Sequence, residues 1–556
     1  MAIRILYNAN IYTLDPTTPV GSAIAIDEGS SRSGSGRILA IGDDHTLLSE
    51  FATRATIQNL EGRTVLPGLT DAHIHLQQFA LGLRYIDCET PTQKACLSRV
   101  ADRASKTPPE QWIRGHGWNH NDWPEGLGNN SILDPLTPRN PTYLTAKSLH
   151  AAWANSLALK AAKISTDTPD PLDGNIQRDP SGNPTGILFE GAMRLIKEVI
   201  PEPTPQELVG DLLTTQDALC RMGLTGVHDF DRQTCFSALQ ILHHNDELRM
   251  RIVKSISVED LSHAIAVGIR SGFGDDVLQI GGIKAFADGA LGPHTAAMLH
   301  PYNDEPENCG VLLLDAEEIF GFGSLAVENG LSLAIHAIGD QANHEVINAL
   351  SQLKVYERNL HKRKGTAPRS PKPLRHRIEH LQLIHPDDLP RLAQLGVIAS
   401  MQPIHAPSDM AMADHVWGER AAYGYAWRSI LNAIPSTQER ITTILAFGSD
   451  APVESPNPFW GLHAAITRRR ADGTPGPDGW YPSQKLTLHE ALKGYTWGAA
   501  FAAGKENQLG KLIRGYMADL IVLDNDPFEL DPEQIRDILP VGTMINGTWV
   551  YGGEYK

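Results

Sequence analysis

Eight short apolar runs recur along residues 64–504, and helix-like stretches separate them. That alternation restricts the fold more than any other feature of this chain of 556 residues. The runs are TVLPGLTDAHIH (64–75), LTGVHDF (224–230), RIVKSIS (251–257), QIGGIKAF (279–286), LSLAIHAIG (331–339), RHRIEHL (375–381), VIASMQP (397–403) and TTILAFGSD (442–450). Rich in Ile, Val and Leu, they read as strands covered on both faces. Between them, residues 204–223 show helical spacing at Leu208, Leu212, Leu219 and Met222. Thr204, Pro205 and Glu207 supply start signals there and Gly223 a stop. Strand and helix alternating eight times predict an α/β fold, a (β/α)8 TIM barrel with its active site at the C-terminal ends of the strands.

Six residues close or follow these runs: His73 and His75 in the first, Lys284 in the fourth, His336 in the fifth, His380 in the sixth and Asp450 in the eighth. Imidazoles and a carboxylate are ordinary ligands for zinc-like cations. A lone histidine at such a place is more often a satisfied core residue. Six coincidences at strand ends favour a shared site.

These residues, with LYNANIYTLD (6–15), PGLTDAHIHL (67–76), IKAFADGALG (283–292), IHAIGDQAN (335–343), RIEHLQ (377–382), GSDAPV (448–453) and GKLIRGYMADLIVLD (510–524), resemble the amidohydrolase superfamily. The likeness is to its amidohydrolase-3, or YtcJ-like, branch, which includes enzymes that hydrolyse N-substituted formamides. The resemblance implies that His73, His75 and Asp450 hold one metal and that His336 and His380 hold a second. It implies a binuclear centre of two zinc ions per chain, with iron, manganese or cobalt as alternatives. Lys284 would bridge the two as a CO2-derived carbamate. An ammonium has no lone pair for a cation, so an unmodified Lys284 would instead pair with an acid such as Asp288.

On that likeness the chain is a hydrolase of a non-peptide amide, an N-substituted formamide or related acyl amine. Water acidified by the cations attacks the carbonyl carbon, and Asp450 shuttles its proton to the leaving nitrogen. The same site would serve a carbamate, a cyclic amide, an ester or a lactone. A reading of another class is a catalytically silent, metal-retaining regulatory protein; an intact Asp450 counts against it. His294, in the loop after Lys284, is a candidate donor to the oxyanion.

Residues 1–63 and 505–556 show short strand-like segments around the linker EGSSRSGSG (28–36), and are expected to combine into one β-sandwich domain beside the barrel of 64–504. An excursion from Gln77 to about Pro203 is too long for a structureless loop, so it is expected to be a folded insertion. It holds Trp112, Trp118, Trp123 and Trp153. Trp118, His150 and Trp153 are the residues expected to face the substrate, an apolar or aromatic group suiting the indoles. The alternative is that the rings form the insertion's own core. His116, His120 and Asn121 could suggest a further metal site, but their spacing is unspecific. HKRKGTAPRSPKPLR (361–375) reads as a solvated basic loop, and 468–482 as a loop that either helps close the site through Arg468 or Trp480 or crosses the surface.

A formal net charge of −17 argues against nucleic acid and anionic membrane surfaces as partners. A small-molecule substrate and a homodimer are the default expectations. Five cysteines without CxxC spacing fit a reducing compartment and no disulfide framework. With neither a signal region nor an apolar run of about 18 residues, the expected location is cytoplasmic.

Overall fold

The computed structural model describes residues 2–28, 36–119, 123–148, 150–364, 373–434 and 443–553. The linker at 28–36, His120 and Asn121, the basic segment at 361–375 and the start of the eighth run lie wholly or partly outside them. The chain forms two compact units. One comprises Met1–Phe79 with Leu208–Lys556, and the other is Ala80–Glu207.

The first unit contains the barrel. Its strands are β1 (Leu69–Ile74), β2 (Leu224–Asp229), β3 (Arg251–Ser257), β4 (Leu278–Phe286), β5 (Leu333–Ala337), β6 (Arg377–His380), β7 (Ile398–Met401) and β8 (Ile444–Phe447). They lie in sequence order in one sheet, each parallel to the next. Strands β2, β5, β6 and β7 are buried at every position, as strands covered on both faces must be. At the end of β1, Ile74 bridges Ala451, just past β8, in parallel. The Asp450 N–H donates to the His73 carbonyl at 2.7 Å and the His75 N–H to the Ala451 carbonyl at 2.9 Å. Three of the six candidate ligands therefore sit on the seam that closes the barrel.

The helix Pro205–Arg221 starts as its sequence predicts. The Glu207 N–H donates to Thr204 Oγ1 at 3.3 Å, and the Thr204 N–H to Glu207 Oε2 at 2.8 Å. The run at 64–75, by contrast, is two strands. Thr64–Pro67 pairs with Leu520–Leu523 and Asn10–Tyr12 in a six-stranded sheet built from both chain ends. The break falls at Gly68, where a Cβ would lie 2.5 Å from Thr225 Oγ1. A four-stranded sheet of Ile3–Tyr7, Ala23–Asp27, Arg37–Gly42 and Ala55–Asn59 shares an apolar cluster with the six-stranded one, including Leu6, Ile24, Val65, Leu520 and Met544. Asp519 ties these ends to the barrel through a buried pair with Arg251 at 2.5 and 2.8 Å.

The second unit has its own six-stranded sheet, with Ile113–Trp118, Thr142–Ala146 and Ala151–Ala154 at its middle. Trp118 and Trp153 are at most 1% exposed and pack with Trp123, Cys88, Cys96 and Leu144 in that unit's core. Their indole N–H groups donate to the carbonyls of Leu144 and Asn129 at 2.8 and 2.9 Å. The expectation that these two rings face a substrate is thus corrected. Their size and satisfied N–H groups make them the insertion's core. His150 is exposed, with Nδ1 2.9 Å from Glu190 Oε1. All five cysteines are free, and no helix among the described residues is long and apolar enough to cross a membrane.

Candidate active site

The seam sets the positions of the first three candidate ligands. Asp71 lies two residues before His73, and its Oδ1 accepts the backbone N–H groups of His73 and Ser449, each at 3.0 Å. Its Oδ2 accepts the Ser449 hydroxyl at 2.5 Å. One buried carboxyl group thereby joins β1 to the loop that carries Asp450, and burial pushes it up to about 7. Asp450 itself adopts a left-handed backbone at φ 59°, and so does His380 at φ 72°. Such conformations cost about 1–3 kcal/mol each and persist where the surroundings enforce them. At the end of β6 the left-handed turn interrupts the strand alternation. Glu379 and His380 can then both reach the His73 ring, although adjacent strand residues ordinarily point to opposite faces.

Each histidine uses one ring nitrogen on an outer partner. Nδ1 of His73 lies 2.6 Å from Glu379 Oε2, and Nδ1 of His75 lies 3.1 Å from Asp231 Oδ1. Nδ1 of His380 lies 2.9 Å from Gln402 Oε1, and Nε2 of His336 lies 2.8 Å from the Gly289 carbonyl. With acceptors on those nitrogens, the opposite ones carry the lone pairs in the neutral rings of His73, His336 and His380. Nε2 of His73 and His75 lie 3.6 and 3.4 Å from Asp450 Oδ1. The rings of His73 and His380 are centred 4.8 Å apart, and those of His336 and His380 4.5 Å apart.

This donor set fits a divalent cation. His73, His75 and Asp450 each present a ligand atom, all within 4.8 Å of one another. Nε2 of His73, Nδ1 of His336 and Nζ of Lys284 are buried without any hydrogen-bond partner. Buried polar atoms are seldom left so, and a metal ligand is one of the few reasons. Burial and the nearby Lys284 charge hold His73 down at about 4 and His336 at about 3. Burial also lowers His75, yet its contacts with Asp231 and Asp450 outweigh that and raise it to about 9. A cation binding there would displace the His75 proton. Burial by itself would raise Asp450, but His75 and His73 beside it hold its carboxyl well below the usual range.

Burial brings Lys284 down to about 8. Its Nζ lies 4.6 and 4.9 Å from the ring centres of Phe230 and Phe286. Asp288 is not its partner, which corrects the expected pairing. The Asp288 oxygens accept the backbone N–H groups of Ala297, Ile338 and Gly339 at 2.8–3.0 Å. His294 is engaged elsewhere: Nδ1 lies 2.7 Å from Glu305 Oε1, and its ring stacks on Tyr302. Arg468 and Trp480 are buried, with the guanidinium bonded to the carbonyls of Trp480, Tyr425 and Gly424 and lying between the rings of Trp427 and Trp480. They lock the 468–482 loop.

Sequence reasoning missed the outer layer. Glu379 is held by Arg377 through its Nε and, at 3.0 Å, through Nη2; Arg377 also donates to Ser400 and the Ala72 carbonyl and contacts His228. On the other side Lys254 pairs with Asp229 at 3.0 Å, and Asp229 accepts the Leu76 N–H at 3.0 Å. The available signal was acidic residues at the ends of apolar strands, in HDFD (228–231) and RIEH (377–380).

Comparison with known proteins agrees with this geometry. A model of the amidohydrolase family matches residues 56–551. The putative amidohydrolase YtcJ of Bacillus subtilis (strain 168) is 31% identical over 98% of this chain and 99% of its own length. The N-substituted formamide deformylase of Arthrobacter pascens is 27% identical over 98% of each chain. Among solved structures, an uncharacterized metal-dependent hydrolase from Pyrococcus furiosus has a TM-score of 0.75 at 27% identity, covering 95% of this chain and 100% of that one. A likeness this extensive leaves one conclusion: the chain belongs to the amidohydrolase family and is a metal-dependent hydrolase acting on carbon–nitrogen bonds.

Proposed function

We propose that this enzyme hydrolyses a non-peptide amide, an N-substituted formamide or related acyl amine, at a two-metal centre. The observation that carries the reading is the convergence of His73 Nε2 and His75 Nε2 on Asp450 Oδ1 at the barrel seam. The relative from Arthrobacter pascens, an N-substituted formamide deformylase, supports the substrate class. His73, His75 and Asp450 would hold one divalent cation, and His336 and His380 the other. Zinc suits this imidazole and carboxylate set, as do iron, manganese and cobalt. Bound there, the cations would acidify water and polarise the carbonyl.

The chain's own groups do the rest. Asp450 is ionised, so it begins as a base; it takes the proton of the attacking water and returns it to the departing nitrogen. Lys284 reaches the same cluster without a partner. Burial raises its share of neutral amine, the form that attacks CO2. The ammonium first loses one proton; the neutral amine then forms a carbon–nitrogen bond as one carbon–oxygen π bond of CO2 opens, a second proton leaves to solvent, and an anionic carbamate results. That oxygen pair is the bridge the centre would use.

The test combines metal content per chain, by inductively coupled plasma mass spectrometry, with turnover of formamides, other amides, carbamates and esters. About two equivalents and a preference for formamides are expected on this reading. A single equivalent would remove the Lys284 bridge. Preference for carbamates or esters would move the substrate class, and silence over the whole panel in metal-loaded protein would overturn the proposal.

A further inference from the structure

The four histidines are not held alike. On each of His73 and His75 the outer partner is a carboxylate, from Glu379 at 2.6 Å and Asp231 at 3.1 Å. On His336 and His380 it is a neutral oxygen, the Gly289 carbonyl at 2.8 Å and the Gln402 amide at 2.9 Å. A carboxylate that accepts a ligand's N–H makes the opposite nitrogen a stronger donor and places negative charge behind the cation, whereas a carbonyl mainly fixes the tautomer. From this asymmetry we infer that the two metal positions are unequal. The position of His73, His75 and Asp450 fills first and holds tightly, and the position of His336 and His380 is the weaker, exchangeable one. The inference rests on the two-metal reading above.

The surrounding charges reinforce the difference. Asp229 is matched by the Lys254 ammonium at 3.0 Å, which leaves the neighbouring Asp231 carboxylate to His75. Asp231 is also fixed in place, because its Oδ2 accepts the Gln77 N–H at 2.5 Å. On the other side Asp288 lies 3.6 Å from His336 Nε2, but its oxygens are taken by backbone N–H groups and the Gly289 carbonyl is nearer to that ring nitrogen. The His336 and His380 pair therefore depends on Lys284, in its carbamate form, for an anionic ligand. Asp231 acts in this scheme as a positioning residue.

Cobalt(II) titration of chelator-stripped enzyme in bicarbonate buffer, read by visible absorption and chelator competition, tests the inference. Wild-type protein should bind its two equivalents at affinities at least about tenfold apart. The variant His336→Asn should lose the weaker equivalent and keep the tighter. Asp231→Asn should weaken the tighter equivalent by about 10- to 100-fold and change its absorption band, while the weaker equivalent keeps its affinity. This variant is preferred to Glu379→Gln, which strands the buried Arg377 guanidinium and invites a folding defect. Two equivalents of indistinguishable affinity would overturn the inference. So would an Asp231→Asn protein that loses the weaker equivalent, or a His336→Asn protein that loses the tighter. Uptake of no cobalt at all would fell the two-metal reading itself, a separate failure.

Discussion

Gly448 runs so close to His73 that a side chain at Gly448 would collide with the His73 backbone. A Cβ there would press on the His73 amide nitrogen and lie 2.6 Å from Asp71 Oδ1. This explains the glycine of the GSD segment: β8 must pass against β1 for Asp450 to reach His73 and His75. Gly448→Ala should therefore separate the seam, costing about 1–3 kcal/mol of stability and most of the bound metal. Thermal melts and metal analysis check it. A variant of wild-type stability and full metal content would show that the seam has slack.

In the proposed mechanism Asp450 has two tasks, ligand and proton carrier. Asn keeps its shape and one oxygen donor but cannot carry a proton. Asp450→Asn should cut turnover by about 10²–10⁴-fold, the usual weight of general acid–base catalysis, with the circular dichroism spectrum unchanged. Retention of most activity would remove Asp450 from proton transfer and leave it only a ligand.

Lys284 Nζ makes no hydrogen bond, so its loss strands no polar group in the metal-free fold. Lys284→Ala should keep or raise the Tm of stripped protein, because it deletes a buried, unpaired ammonium. The same change should lower metal content and turnover, and added formate or acetate should restore part of both by supplying the missing carboxylate. Full metal occupancy without added acid would contradict a bridging lysine.

Asp288 gives a pH test whose sign is fixed. Burial pushes its carboxyl up to about 7 from an ordinary 3.8. Between those values the folded protein holds a proton that the unfolded chain has released. Stability from this group is full below about pH 4, falls as pH rises towards 7 and levels off beyond it, a change on the order of a few kcal/mol. The Asp288→Asn protein should be less stable throughout, since it loses acceptors for backbone N–H groups. Its difference from wild type, measured by denaturant melts of metal-free protein, should narrow from pH 4 to 7, taken as about the window of the shift. A constant difference would mean Asp288 is ionised over that range.

The barrel and the residues that gather at its seam were legible because both leave local marks. A buried parallel strand is an unbroken apolar run, and a histidine or aspartate at its end stands out. Glu379 and Asp231 also lie at strand ends, but their letters do not say what they touch. They meet His73 and His75 from positions 306 and 156 residues away in sequence. Nothing in the letters RIEH says which of two adjacent residues turns inward, since that depends on the left-handed backbone at His380. Gly68 was missed for a related reason. Only the approach of Thr225 shows that the apolar run at 64–75 must break there and divide between two sheets.

The tryptophans fall between these cases, since an indole suits a core and a binding site equally well. The structure places Trp153 in the core of the Ala80–Glu207 unit, with its ring against Gly128, where a Cβ would meet it. Trp153→Ala should then cost that unit about 3–5 kcal/mol and open it to proteolysis within residues 80–207. Metal content should stay at the wild-type level, because no ligand lies in that unit. Limited proteolysis beside metal analysis separates the two roles. A variant that resists protease yet loses affinity for an aromatic formamide would return Trp153 to the substrate.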